Sequence, residues 1–502
     1  MSLAEAFLAV LQPLPFWVLS LGVLLGIIVG ALPGMTGGML MALALPFTYY
    51  MTDANAITLL IGMYVGGISG GLITATLMRI PGEPSSVMTT LDGYPLARAG
   101  QPGRALGLGI SASVVGGGLS WIALVLLSPP LAKLGLQFGP FENFSLALLA
   151  LVMISSLSRG SFVRGLIAGL LGMLVGVPGV DESSGTMRFT FGIDALAGGF
   201  NLLPVILGVF ALSQVFADLM AADKPATRVA ADRRGILISL RDYVDHGWNM
   251  LRSGLIGIFM GIMPGVGASI GSIAAYTTAR NLSKTPEKFG TGSEEGIVAA
   301  ETANNATSGG TLIPVITLGL PGGFTDAVLL AALMIHNLQP GPHFFANNTT
   351  IVHTIMASHL LAHVVMFAIM VVASLWIVRL MEIPKQYIAT MVLVLCVIGA
   401  FALNGRLFDV WVMLAFGAVG LALEYVRAPL APFAIGLILG PMAEGQFRSA
   451  MMLSDGSLAP LVTRPISLTL LIAALALFAW PFWRERHLPS GEDTRMTQLK
   501  KG

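Results

Sequence analysis

Long apolar runs, separated by short segments rich in Gly and Pro, dominate the sequence. Many of these runs approach the ~20 residues that a helix needs to cross a bilayer. A transmembrane barrel would instead show alternating segments of ~10 residues. The pattern therefore predicts an all-α polytopic membrane protein with about 12 transmembrane segments, some of which are too short to cross the bilayer.

Four Pro-Gly pairs interrupt these runs at corresponding places in the two halves. Segment 26–34 (GIIVGALPG) matches segment 257–265 (GIFMGIMPG), and the residue numbers differ by 231 at each identity. Pro81-Gly82 corresponds to Pro321-Gly322, with a difference of 240 in residue number. We therefore predict two internal repeats with half-helices or hairpins broken at Pro-Gly. Further helix breaks are expected at the Gly-Gly pairs 66–67, 70–71 and 309–310, because Gly weakens a helix.

One polar stretch, 296–322, stands out among the apolar runs. Within it Glu301, Asn304, Asn305 and Ser308 have the spacing i, i+3, i+4 and i+7, which places them on one helical face. A carboxylate and two amides at membrane depth are costly unless they face protein or a water-filled cavity. This spacing, next to paired Pro-Gly breaks, points to a transporter binding site.

Each Pro-Gly break frees backbone N–H and C=O groups and exposes the partially positive start of a half-helix. N–H groups and nearby hydroxyls suit an anion with several carboxylates, whereas freed carbonyls suit Na⁺. The predicted substrate-binding residues are Pro33, Gly34, Thr36, Ser69, Thr74, Pro81, Gly82, Ser85, Pro264, Gly265, Ser269, Asn304, Asn305, Ser308, Pro321, Gly322 and Thr325. Glu301 and Asp326 are the predicted cation-coupling residues, although Asp326 also fits a charge that stabilises a helix start.

Charge divides the chain into four predicted parts. Residues 1–222 form a first membrane repeat and residues 250–483 a second. Residues 223–249, rich in Arg, form a basic connector, and 484–502 form a basic tail; both are expected to be cytoplasmic.

Composition narrows the function classes. The chain is 55% hydrophobic and 11% charged, with a net charge of +1, which gives no argument for nucleic-acid binding. Cys396 is the single cysteine, so thiolate metal clusters are excluded. His359 and His363 are four residues apart, but the glutamate of a zinc-protease helix is missing, so packing or a hydrogen bond is the favoured role. We predict no enzyme activity, no cofactor and no metal.

One further segment, one residue and the chain as a whole have alternative interpretations. The turn at Asp92-Gly93-Tyr94-Pro95 is interpreted as a structural loop, with a docking loop or gate hinge as the alternative. Arg79 could bind an anion or pair with Glu301, or its side chain could extend to the membrane interface. For the whole chain, a passive organic-anion channel, an intramembrane enzyme and a structural scaffold remain alternatives to a transporter.

The stretches 30–34, 80–82, 261–265, 301–306 and 318–322 together resemble the large permease subunit of the tripartite tricarboxylate transporter family. The resemblance implies a bacterial inner-membrane symporter that works with a periplasmic solute-binding protein and a small membrane subunit. It implies transport of citrate or another small carboxylate, driven by Na⁺ or H⁺, and similar carriers suggest inverted repeats. Ala300, Arg79 and Gly323 depart from the family pattern, which affects the substrate more than the fold.

Overall fold

The computed structural model describes residues 1–32, 34–157, 162–181, 185–220, 229, 234–377, 379, 385–402 and 404–487. These residues are mostly helical, and the chain divides into two compact units. Unit 1 comprises 1–136 and 178–426, and unit 2 comprises 137–177 and 427–502. The predicted all-α class is confirmed in the described residues, apart from a small antiparallel pair, β1 (Gly179–Val180) and β2 (Met187–Arg188).

Unit 1 contains most of the helices. Its N-terminal helices are α1 (Leu3–Val10), α2 (Pro13–Ala31), α3 (Gly37–Thr48), α4 (Asp53–Met78), α5 (Thr89–Arg98) and α6 (Pro102–Gly135). Its later helices are α9 (Leu202–Ile206), α10 (Ser213–Met220), α11 (Leu240–Ile262), α12 (Gly267–Leu282), α13 (Glu294–Leu318), α14 (Phe324–Ile335), α15 (Pro342–Asn347), α16 (Thr349–Ile377), α17 (Lys385–Ala402) and α18 (Leu407–Tyr425). A π-helical segment, Leu207–Leu212, joins α9 to α10.

Unit 2 is a smaller helical unit with its own packing. It contains α7 (Pro140–Leu157), α8 (Phe162–Val175), α19 (Leu430–Leu453), α20 (Ala459–Thr463) and α21 (Pro465–His487). Helices α8 and α19 approach closely, because a methyl group added at Gly172 would lie 1.9 Å from the Phe433 carbonyl oxygen. Arg464 pairs with the buried Glu142 at 3.2 Å.

Six helices among the described residues are long and apolar enough to cross a membrane. They are α2, α4, α6, α18, α19 and, over Thr349–Ser374, α16. Shorter apolar helices of 10–17 residues include α3 and α14, which agrees with the prediction that some segments are too short to cross. The figure of about 12 segments stays a prediction.

The predicted breaks at Gly-Gly pairs are wrong. Helix α4 runs unbroken through 66–67 and 70–71, and α13 runs unbroken through 309–310. These glycines instead allow two helix backbones to approach. A methyl group at Gly66 would lie 2.3 Å from the Val23 carbonyl oxygen, and one at Gly310 would lie 2.7 Å from that of Ile258. Close packing against a neighbour compensates for the weak helix propensity of Gly.

Helix pairs α2–α4 and α11–α13 pack through equivalent glycines. Gly30 of α2 faces the carbonyl of Gly67, and Gly261 of α11 faces that of Thr307. Gly261 lies 231 positions after Gly30, and Thr307 lies 240 positions after Gly67. These are the two offsets found in the sequence. The two helix pairs therefore use the same contact, as expected for related halves.

The predicted basic connector, 223–249, is partly helical. Helix α11 begins at Leu240, with Ser239 as its N-cap, whereas 223–228 and 230–233 lie outside the described residues. In the predicted tail, α21 continues to His487, and 488–502 lie outside the described residues. The four predicted parts stay predictions.

Candidate functional site

All four Pro-Gly pairs lie between helices, as predicted. Helix α2 ends at Ala31 before α3, α4 ends at Met78 before a 3₁₀ turn at Pro84–Val87, α11 ends before α12, and α13 ends before α14. Gly34 and Gly265 adopt φ of +90° and +80°, a conformation that favours Gly. Pro33 lies outside the described residues.

These four breaks meet within unit 1. The Gly37 N–H donates to Glu83 Oε2 at 3.2 Å, which joins the first break to the second. A methyl group added at Gly38 would lie 3.0 Å from Thr325 Oγ1, so the first break also contacts the fourth. One added at Gly267 would lie 3.8 Å from the Gly322 carbonyl oxygen, and α12 packs against the 3₁₀ turn after the second break. Half-helices from both halves of the chain therefore converge.

The polar face of α13 is buried in protein beside this convergence. Glu301, Asn304, Asn305 and Ser308 have no solvent exposure. The Asn304 amide donates to the Ile68 carbonyl at 3.3 Å, while its Oδ1 has no hydrogen-bond partner. Helix α4 therefore covers the middle of this face but leaves one amide oxygen uncommitted.

Hydroxyl groups of neighbouring helices contact the side chains of Asn305 and Glu301 on this face. Ser69 of α4 donates to Asn305 Oδ1 at 2.8 Å. Thr89 of α5 donates to Glu301 Oε1, and the Ser113 hydroxyl of α6 lies 3.4 Å from Glu301 Oε2. Neutral donors from three helices thus converge on one α13 face, which is the polar environment that a buried carboxylate and amide require.

The polar contacts continue along α13 to Asp326. Thr311 Oγ1 donates to the Ser308 carbonyl at 3.0 Å, and the Tyr64 hydroxyl lies 2.7 Å from Thr311 Oγ1. The same Tyr64 hydroxyl donates to Asp326 Oδ1 at 2.7 Å. From Glu301 to Thr311 the track spans ten residues, or about 15 Å of helix, roughly half the thickness of the hydrocarbon core. The two predicted cation-coupling carboxylates therefore lie at opposite ends of one hydrogen-bonded track.

His359 and His363 are packing and hydrogen-bonding residues in α16, in agreement with the favoured interpretation. His359 Nε2 lies 3.0 Å from Ser308 Oγ, and His363 Nδ1 lies 2.8 Å from the His359 carbonyl oxygen. Both rings are buried. The structure contains no cluster of three His, Cys, Asp or Glu residues suited to a metal within the described part of the chain.

The predicted hydroxyl residues near the breaks have different environments. Thr36 caps α3 by accepting from the Met39 N–H at 3.2 Å, whereas Ser269 and Thr325 are half-buried in the first turns of α12 and α14. Thr74 and Ser85 are buried, and their hydroxyl oxygens have no hydrogen-bond partner. Helix capping is therefore observed for Thr36, and ligand contact by these residues stays a prediction.

Arg79 does not pair with Glu301. It is exposed at the C-terminal end of α4, with φ of +59°, and its guanidinium lies 5.9 Å from the centre of the Tyr94 ring. The described contacts of Glu301 come from hydroxyl groups instead. The αL backbone ends the helix there, so the side chain leaves the buried core, and the proposed Arg79–Glu301 pair is wrong.

The predicted loop at Asp92-Gly93-Tyr94-Pro95 is wrong, because these residues lie inside helix α5, but Asp92 does have a structural role. Its buried carboxylate accepts N–H groups from Gly290, Gly292 and Ser293 at 2.8–2.9 Å through Oδ1, and the Tyr276 hydroxyl at 2.7 Å through Oδ2. This aspartate therefore attaches the loop before α13 to α5.

Sequence reasoning missed several residues of the site. Tyr64, Thr89 and Ser113 contact predicted residues that lie 188–262 positions away along the chain. Glu83 contacts Gly37, 46 positions away and next to the predicted Thr36. Glu83 carried a usable signal, because it is an acidic residue directly after a Pro-Gly break at membrane depth.

Comparison with known families identifies the chain. Residues 16–435 match the model described as "Tripartite tricarboxylate transporter TctA family". The chain belongs to this family. It is therefore a multi-pass membrane subunit of a tripartite tricarboxylate transporter, as the resemblance in the sequence implied.

Two similar proteins come from Agrobacterium vitis. A protein described as "Uncharacterized 52.8 kDa protein in TAR-I ttuC' 3'region" is 34% identical over 477 residues, covering 95% of this chain and 94% of the relative. An "Uncharacterized protein in TAR-II ttuC' 3'region" is 32% identical over 216 residues, covering 43% of this chain and 89% of the relative. No solved structure matches the chain.

Proposed function

We propose that this chain is the large permease subunit of a secondary active transporter that imports a tricarboxylate or another small carboxylate together with Na⁺ or H⁺. The observation that carries the proposal is the convergence of the four Pro-Gly breaks beside the buried polar face of α13. Broken helices from corresponding places in two halves are the usual setting of substrate and ion sites in secondary transporters.

Substrate recognition is assigned to neutral donors. The starts of α3, α12 and α14 carry partial positive charge, and the Asn304 and Asn305 amides supply side-chain donors. Arg79, the cation closest in sequence to the second break, is exposed. Releasing a carboxylate from helix dipoles and amides costs less free energy than releasing it from a buried guanidinium, because no unpaired charge is left in the protein.

The partners and location follow from the family. A periplasmic solute-binding protein would deliver the carboxylate, and a small membrane subunit would accompany this chain in the bacterial inner membrane. The polar track on α13 contains neutral groups and carboxylates, with no nucleotide-binding motif in the sequence, which supports ion-driven rather than ATP-driven transport.

A passive organic-anion channel is the second candidate, since it could use the same polar face. The full burial of this face within packed helices favours a carrier, because a conducting pore keeps a continuous aqueous path. An intramembrane enzyme is less favoured, because Glu301 and Asp326 lie at opposite ends of the track rather than side by side.

Uptake into liposomes tests the proposal. The chain is reconstituted with the small subunit and the binding protein, and radiolabelled citrate uptake is measured with an inward Na⁺ gradient, an inward H⁺ gradient, or neither. Accumulation above the external concentration only with an ion gradient supports the carrier. Equilibration without a gradient supports the channel, and chemical conversion of citrate supports the enzyme. A panel of other small carboxylates is run in parallel to name the substrate.

Asparagine variants test the assigned site. Asn304→Ala and Asn305→Ala should abolish uptake while membrane insertion remains normal, because each removes an amide from the buried face. Asn281→Ala, at an exposed position near the end of α12, is the matched control and should transport normally. Normal uptake by both buried variants would remove these residues from the site.

A further inference from the structure

Glu83 is a buried carboxylate for which neither the sequence nor the transport proposal has a role. It lies directly after Pro81-Gly82 and is 9% exposed. Its described hydrogen bond is the one from the Gly37 N–H, at 3.2 Å. No Lys, Arg or His of the described chain lies within ion-pair distance of it. An ionised carboxylate in such a place needs a compensating positive charge or a proton.

Uncommitted oxygen atoms surround this carboxylate. The hydroxyl oxygens of Thr74, Ser85 and Ser86 are buried, and none has a hydrogen-bond partner. Buried hydroxyl groups normally find a partner. Three unpartnered hydroxyls within one turn and one helix end therefore have lone pairs that are free to bind a ligand.

Two glycines place these atoms in two groups on either side of the second break. A methyl group added at Gly71 would lie 2.3 Å from Ser86 Oγ and 2.9 Å from the Glu83 nitrogen. One added at Gly82 would lie 2.8 Å from Thr74 Oγ1 and 2.1 Å from the Gly30 carbonyl oxygen.

The Gly30 carbonyl belongs to the last turn of α2, where carbonyl groups lack an intrahelical N–H partner. Carboxylate, hydroxyl and freed carbonyl oxygens therefore surround the second break.

We propose that Glu83, Thr74 and Ser86, with the carbonyl of Gly30, bind a dehydrated Na⁺ ion. Oxygen ligands suit a hard cation, and one carboxylate matches one positive charge. The two predicted coupling residues are less suitable, because hydroxyl groups contact both carboxylate oxygens of Glu301 and one of Asp326. The described donor to Glu83 is one backbone N–H, on Oε2. A donor hydrogen directed at a carboxylate oxygen competes with a cation for the same lone pair.

The role of this ion as the coupling ion rests on the proposed transport function, but its binding does not. Binding is therefore tested on the purified full chain in detergent, without a substrate. The melting temperature is measured against NaCl at constant ionic strength, with KCl and choline chloride as replacement salts. A saturable increase that is specific for Na⁺ is expected, because an ion that binds only the folded state stabilises it.

Variants assign the ion to this site. Glu83→Gln should abolish the Na⁺-dependent increase. Thr74→Val and Ser86→Ala should each raise the half-maximal Na⁺ concentration by about tenfold, the usual scale for a lost contact to a charged group. Glu287→Gln, at an exposed position, is the matched control and should keep the wild-type response. The hydroxyl variants keep the test valid if Glu83→Gln does not fold.

Three results would overturn the assignment. They are an unchanged Na⁺ response in Glu83→Gln, an unchanged half-maximal concentration in both hydroxyl variants, or a wild-type chain that responds to pH but not to Na⁺. The last result would mean that Glu83 binds no Na⁺ ion. A Na⁺ response that depends on Glu83, in a chain that transports no carboxylate, would preserve the ion site and refute the transport function.

Discussion

Replacing Asp92 by alanine should lower the free energy of unfolding of unit 1 by about 3–5 kcal/mol. The size of the loss depends on how deeply the donors that lose their acceptor are buried. The carboxylate accepts four hydrogen bonds, and each bond to a charged group is worth about 1.5–3 kcal/mol. Gly290 is exposed and Gly292 half-buried, so water can replace two of these bonds. Ser293 and Tyr276 are 8% and 6% exposed, and their donors would remain unpaired.

Two further variants separate charge from shape. Asp92→Asn retains an oxygen for the three N–H groups but loses the charge and the oxygen that accepts from the Tyr276 hydroxyl. It should cost about 1–2 kcal/mol, because the new amide NH2 can donate to the Tyr276 oxygen instead. Asp245→Ala, in an exposed ion pair with Arg241 at 3.6 Å, should change stability by less than ~0.5 kcal/mol.

SDS-induced unfolding in mixed micelles, followed by tryptophan fluorescence, measures these free energies. The reasoning fails if Asp92→Ala costs under ~1 kcal/mol, or if the asparagine variant is as unstable as the alanine variant.

The same unfolding assay tests two other contacts. Gly30→Ala should lower the free energy of unfolding by at least ~2 kcal/mol, since its methyl group would lie 2.1 Å from the Gly67 carbonyl oxygen, a contact relieved only by moving a helix. Gly118→Ala is the control and should be neutral, because its methyl group would meet nothing within 4 Å. Equal stability of the two variants would contradict this reasoning. Arg104→Ala should lower the free energy of unfolding by about 1–3 kcal/mol. The Arg104 guanidinium pairs with Asp242 of α11 at 2.6 Å and with Glu294 of α13 at 2.8 Å, and such charged hydrogen bonds are strong. Arg241→Ala, 88% exposed, should have almost no effect, and a loss of similar size there would indicate a general charge effect.

The sequence predicted the fold class because it depends on local patterns, and the residues proposed for the site come from the same kind of pattern. Runs of apolar residues define membrane helices, and the spacing of Glu301, Asn304, Asn305 and Ser308 defines a helical face. Pro-Gly pairs ended helices at all four places. The chain also carried the motifs by which its family was correctly inferred.

Gly-Gly pairs gave the wrong prediction for a physical reason. Intrinsic propensity makes Gly a helix breaker, but the cost is small and a neighbouring backbone can offset it. Whether Gly310 breaks α13 or packs against Ile258 depends on a helix 52 residues away in the sequence. No local pattern records that partner.

The sequence alone determined that this is a polytopic helical membrane protein of the transporter family, with paired breaks beside a polar helix, because bilayer thickness and helix period act on neighbouring residues. Only the tertiary structure decided which breaks meet, that Tyr64 links Thr311 to Asp326, and that Glu83 lies among unpartnered hydroxyls. The meeting of the breaks and the Tyr64 link join residues far apart in the chain. The hydroxyls near Glu83 are close to it in sequence, but whether they find partners depends on burial, which the order of residues does not specify.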